Sequence, residues 1–164
     1  MTAKAAPVLL LRPGSLALMR RFAEAAYPHE GCGVLVGVPD EHQVEVTLVL
    51  EGHNLVQDRR QDRYELDPGD IVLAERSARE LGQEVVGFYH THPDHLARPS
   101  QLDTDRAWPG YHYVVIAVEG GELAAATAWR MVEGEEPSRF EQTSMAEVPS
   151  LRGYNPPDLV AEAW

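Results

Sequence analysis

Of the 164 residues one is cysteine, Cys32, and one is lysine, Lys4. A single thiol excludes an intramolecular disulfide and points to a reducing, cytoplasmic setting. Thirteen arginines make up for the missing lysine, but Asp and Glu total 26 and the formal charge is −12. Nucleic-acid binding needs clustered basic surface to meet phosphates, so a chain this acidic reads as having no nucleic-acid partner. The charge is taken as a solubility device. No apolar run approaches the roughly 18 residues of a membrane span, so no membrane partner is expected. The opening MTAKAAPVLLLRPGS has one lysine and a short apolar run, too short for a signal-peptide core. Internal repeats are absent as well. What is present is 44% hydrophobic residues, enough for one core in a domain of ordinary size.

Residues 8–11 read as a short buried strand. GSLALMRRFAEAAYP places Leu16, Met19, Phe22, Ala23 and Ala26 on one helical face, with Pro28 beyond its end. CGVLVGV (32–38) and HQVEVTLVLEG (42–52) read as strands. Residues 52–63 are polar without an apolar period and form a long connection, and RYELD reads as a short strand. A helix follows with Asp67 at its N-cap, Pro68 at its first position and Gly82 just past its end. EVVGFYHTH is a strand stopped by Pro93. YHYVVIAV and ELAAATAWRMV are strands joined by the turn EGGE, and Arg139 to Val148 adds a last strand. Residues 1–148 then make one α/β domain, a mixed sheet flanked by two principal helices, and 149–164 a proline-rich, weakly helical tail.

The chemistry concentrates in HTHPDHLARPSQLDTD, residues 90–105. His90 and His92 are two apart on a strand and share a face, close enough to converge on one ion. Val86 and Phe88 precede them on that face, so the pair ends an apolar row at the mouth of a buried surface. SQLD is a capping box with Ser100 at the N-cap and Asp103 at N3, which starts a helical turn within reach of the histidines. Cys32 lies in a hydrophobic strand, where free cysteines are usually inert, so a cysteine nucleophile is not favoured.

Two resemblances overlap here. HTHPDH is similar to the H-x-H-x-D-H string of the metallo-β-lactamase superfamily, but over six residues alone. That family's sites need later histidine and aspartate ligands, and downstream of residue 95 the chain has one histidine, His112, inside a strand. The longer string H-x-H-P-x6-S-x2-D over residues 90–103, with Glu30 in PHEGCGVLVG upstream, resembles the JAMM (MPN+) zinc metalloprotease family. The likeness runs from about residue 8 to 130 in element order, and NLVQDRRQDRYELDPGD resembles the free-standing prokaryotic members.

That resemblance implies a JAMM/MPN-like fold and one Zn2+ per chain, held by His90, His92 and Asp103 with a fourth position open to water. It implies Glu30 as general base and Ser100 as donor to the oxyanion. Asp94, His95 and Asp105 read as loop polars, His95 being the spare candidate. Asn54 resembles a recurrent family asparagine and is expected to orient substrate, or else to serve turn chemistry. Arg59 and Arg60 are expected to border the substrate groove. The implied activity is cleavage of a peptide or isopeptide bond after the C-terminal tail of a ubiquitin-like or sulfur-carrier protein. A RadC-like or phage-tail/cell-wall peptidase of the same motif is the alternative. The sequence sets neither an oligomeric state nor a role for the tail.

Overall fold

The computed structural model describes residues 5–134 and 136–149. The order is β1 (Val8–Leu11), α1 (Ser15–Ala26), β2 (Cys32–Val38), β3 (Gln43–Glu51), α2 (Pro68–Glu80), β4 (Glu84–Pro93), α3 (Gln101–Arg106), β5 (His112–Glu119), β6 (Glu122–Met131), β7 (Phe140–Thr143) and β8 (Met145–Glu147). All eight strands form one sheet in the order β7-β6-β5-β4-β2-β3-β1-β8. It is mixed: β1 pairs in parallel with β3 and β8, and β4 with β5, while the other pairs are antiparallel. No helix among the described residues is long and apolar enough to cross a membrane.

The two faces of the sheet carry separate cores, because side chains alternate along each strand. On one face α1 packs its stripe against Leu9, Leu35, Val46, Tyr89, Val114 and Ile116. That stripe is Ser15, Leu18, Met19 and Ala23, with Leu16 and Phe22 at its margins. Leu18, not Ala26, is the core position that the sequence periodicity misplaces. On the other face α2 packs Ala74 and Ala78 against Val34, Val36 and Phe88. Its N-cap is as expected: the Asp67 carboxylate accepts from Gly69 N–H at 2.8 Å, Pro68 sits at N1, and Gly82 follows with φ 66°.

Three further expectations are corrected. A register shift between Leu35 and Val36 pairs them with Gly87 and Val85, a bulge in β4. It turns Val86 into the α1-side core, so Val86 does not share the face of Phe88. RYELD contributes an isolated antiparallel bridge, Asn54 to Leu66, rather than a strand. The expected final strand is two: β7 joins β6 at one end of the sheet, and β8, one residue later, joins β1 at the other. The sheet therefore bends round on itself. The Pro7 carbonyl sits at the seam and accepts from His112 Nε2 at 3.1 Å and Thr143 Oγ1 at 2.6 Å. The expected tail helix lies outside the described residues.

Candidate metal centre

β4 runs as an unbroken buried strand from Gly87 to Pro93, between β2 and β5. Its last turn-side residues present His90 and His92 on the α2 face, 0% and 7% exposed. The chain then turns at Asp94, with φ 55°, and returns as α3. Here the capping box forms fully. Ser100 Oγ accepts from Asp103 N–H at 3.1 Å, and Asp103 Oδ2 accepts from Ser100 N–H at 2.8 Å. The cap fixes the Asp103 carboxylate against the two imidazoles.

Three atoms then make a nearly equilateral triangle. His90 Nε2 to His92 Nε2 is 3.2 Å, and each is 3.1 Å from Asp103 Oδ2. The Leu96 carbonyl holds the His92 proton on Nδ1, so Nε2 turns a lone pair toward Asp103 Oδ2 at 3.1 Å, two electron-rich atoms in contact. A cation removes that conflict. Ligand atoms on a tetrahedral ion with bonds of about 2.0–2.1 Å lie about 3.3 Å apart, close to the edges found here. His92 Nδ1 donates to the Leu96 carbonyl at 2.8 Å, which leaves Nε2 free to ligate. His90 stacks on Tyr64 at 4.6 Å between ring centroids, and its Nδ1 is buried without a partner. The donor set and its spacing fit a divalent metal ion.

Electrostatics follow from burial. Burial pushes the His90 imidazole below its ordinary range, and the Asp103 hydrogen bond only partly offsets it. In His92 burial pulls the same way, but Asp103 and the Leu96 carbonyl outweigh it and the net shift is upward. Burial would raise the Asp103 carboxyl, yet hydrogen bonds with His90, His92 and Ser100 N–H hold it well below the usual carboxylate range. Glu30 is 6% exposed, and burial raises its carboxyl to about 8, with His92 pulling it down in part. It lines the same cleft as Asp103. A buried carboxyl tuned upward is the environment of a general base or acid working near neutral pH.

That cleft, about 190 Å³, runs from Glu30 and Asp103 past Leu66, Ile71 and Phe88 to Trp108, which is half-exposed. Its rim carries Arg63 and Arg106, and Arg106 also donates to the Tyr64 carbonyl at 3.3 Å. Tyr64, Trp108 and the rim arginines were not reached from sequence. Tyr64, an aromatic two residues before Leu66 in RYELD, was the available signal.

The remaining candidates lie around this centre with other work to do. Asn54 uses both N–H groups and its oxygen on backbone: Nδ2 to the Glu30 and Arg63 carbonyls, Oδ1 from Val56 and Glu65 N–H. Arg59, with φ 61°, pairs with Asp62, and Arg60 Nε donates to the Val56 carbonyl at 2.7 Å. Asp94 accepts from Tyr27 Oη and Gly120 N–H, and Asp105 from Gln101. His95 is outside the convergent group. Cys32 is buried, and burial raises its thiol to about 12, which removes it as a nucleophile.

Comparison with known proteins adds the lineage. Residues 13–132 match the family of prokaryotic homologs of the JAB domain. The chain is 37% identical over 110 residues to the desampylase of Haloferax volcanii, covering 66% of this chain and 77% of that protein. It is 31% identical over 91 residues to the lysine-63-specific deubiquitinase BRCC36 of Rattus norvegicus, covering 49% of this chain and 30% of that one. A solution structure from Salinibacter ruber superposes with a TM-score of 0.62 at 35% identity, over 86% of this chain and 94% of that one. Another, from Desulfitobacterium hafniense, has a TM-score of 0.75 at 24% identity over 90% and 97%, a likeness of fold. The chain is a member of the family of prokaryotic homologs of the JAB domain.

Proposed function

We propose that this chain is a zinc-dependent isopeptidase or peptidase with one Zn2+, held by His90, His92 and Asp103. Its proposed substrate is the bond after the C-terminal tail of a ubiquitin-like or sulfur-carrier protein. The observation that carries the reading is the triangle of two imidazole nitrogens and a carboxylate oxygen with a buried, upward-shifted Glu30 in the same cleft. The desampylase and deubiquitinase relatives support the substrate class.

Zinc bound there would acidify a water toward a pKa of about 7 and polarise the scissile carbonyl. Glu30 takes the proton of the attacking water and later delivers it to the leaving amine. Ser100 Oγ accepts from Asp103 N–H, so its own hydrogen is left to donate to the oxyanion of the tetrahedral adduct. The apolar lining of the cleft, Leu66, Ile71 and Phe88, would shield one side of the reacting bond from water. The test is incubation with ubiquitin-like and sulfur-carrier fusions, read by mass spectrometry, with metal analysis of the same sample. Cleavage after the carrier's last residue with one zinc per chain is expected. Cleavage of cell-wall peptides instead, or of nothing with zinc bound, overturns the substrate assignment.

A further inference from the structure

The general base sits just outside the sheet. Gly31, the residue before β2, is tied to β4, its N–H donating to Thr91 Oγ1 at 2.7 Å and its carbonyl accepting from Thr91 N–H at 2.9 Å. Glu30, one residue earlier, is gripped from the other side by the loop between β3 and α2. Its N–H donates to the Arg60 carbonyl at 2.5 Å, and its carbonyl accepts from Asn54 Nδ2 at 3.1 Å. Asn54 is also what closes that loop. Its second Nδ2 proton goes to the Arg63 carbonyl at 3.1 Å, and Oδ1 takes Val56 N–H and Glu65 N–H, each at 3.0 Å. An asparagine amide has two donor protons and two acceptor lone pairs, so all four are engaged and none is left for substrate.

We infer that Asn54 is a positioning residue, locking the 54–65 loop to the backbone of Glu30 so that loop order and base placement are one event. The inference rests on the proposed role of Glu30. A side chain that bonded only the loop would be turn chemistry. One that bonded a substrate would keep an open donor or acceptor. Asn54 does neither, because one of its donors leaves the loop for the base's own peptide group 24 residues upstream. Displacement of a catalytic group by about 1 Å can cost on the order of 10²-fold in rate, so the clamp has a measurable consequence.

Asn54→Asp separates the two halves of the clamp. The carboxylate keeps both acceptor bonds to Val56 and Glu65 N–H, while both donors are lost and the Glu30 carbonyl faces a negative oxygen. Asn54→Ser, which leaves a gap rather than a charge, is measured beside it in case the aspartate variant folds poorly. On a carrier fusion kcat should fall about 10- to 100-fold with KM within about twofold, zinc content and melting temperature staying near wild type. Amide exchange, which needs no activity, should quicken at residues 29–30 and 54–66 and stay unchanged in the rest of β2 and in β4. A rise in KM at unchanged kcat would make Asn54 a substrate contact. Loss of kcat in step with lost zinc or a general rise in exchange would make it a fold residue only. Wild-type exchange at Glu30 in both variants would also overturn the clamp. If the wild-type chain cleaves no carrier, the functional reading fails while the exchange data still decide the clamp.

Discussion

His92 and Glu30 feel each other's charge at the candidate centre and should fail in different ways. His92→Ala removes one corner of the triangle, so zinc measured by mass spectrometry should drop from one per chain to well below, with activity lost in parallel. Retention of stoichiometric zinc would exclude His92 as a ligand. Glu30→Gln keeps shape and removes the proton acceptor. Zinc should stay bound while kcat falls about 10²–10⁴-fold. His112 gives a test away from the site. It is 1% exposed, and burial lowers its imidazole from an ordinary value of 6.5 to about 4. A depressed folded value means that its contribution to stability is fully present above pH 6.5 and is lost as pH falls through 4. The whole swing is about 3 kcal/mol. His112→Asn, which cannot titrate, should show a shallower fall in melting temperature between pH 6.5 and 4 than the wild-type chain. Parallel curves would show that His112 is not an acid-sensitive element. How much of the site was legible differs residue by residue. His90 and His92 could be paired because strand alternation turns their spacing into proximity, whereas Asp103 joined them through the family resemblance and the capping box only placed it within reach. The clamp by Asn54 could not, since its four partners lie 2, 9, 11 and 24 residues away on backbone atoms that carry no sequence signature.

At the level of elements, helices were the most legible because their signals are local. Asp67-Pro68 and Gly82 bound α2 as read, and the capping box at Ser100 starts α3 as read. The Gly120–Gly121 turn also formed, with φ 56° and 91°, the left-handed pair that a two-residue hairpin of that twist needs. What failed depended on distant partners. The β4 bulge is set by how β2 and β4 register, and neither strand alone encodes it. FEQTSMAE reads as continuous strand pattern, yet Ser144 divides it between two neighbours at opposite ends of the sheet. The polar connection read over residues 52–63 is drawn against the segment that follows it by backbone bonds from Leu55 N–H to the Glu65 carbonyl and from Asp67 N–H to the His53 carbonyl. Within it Arg59 is exposed and pairs with Asp62, whereas Arg60 is half-buried and committed to the loop's own carbonyl. A docking role is therefore proposed for Arg59 alone. Arg59→Gln should raise KM for a whole acidic carrier, more at low salt, and leave a short tail peptide unchanged. Equal effects on both substrates would remove Arg59 from recognition.

For the whole molecule the seam between β8 and β1 is the feature to perturb. A chain ending at residue 139 lacks β7 and β8, the Ser144 carbonyl that accepts from Leu9 N–H, and the Thr143 bond to Pro7. Its expected phenotype is a lower melting temperature and fast amide exchange at Leu9–Leu11, with zinc still bound, because the triangle rests on β4 and α3. Unchanged protection of β1 would mean that β3 alone secures it. Exposed edges should also make the shortened chain prone to self-association.

The seam also orders events in time. Thr143 and Pro7 lie 136 residues apart, so the bond between them joins nearly the first described residues to the last. During synthesis the N-terminal part emerges and begins to fold first, and contacts of such separation close late. All three candidate ligands and Glu30 are therefore made while β1 and β6 still wait for their outer partners. The candidate metal centre can therefore assemble before the sheet is closed, and through that interval β1 and β6 each present an unpaired edge.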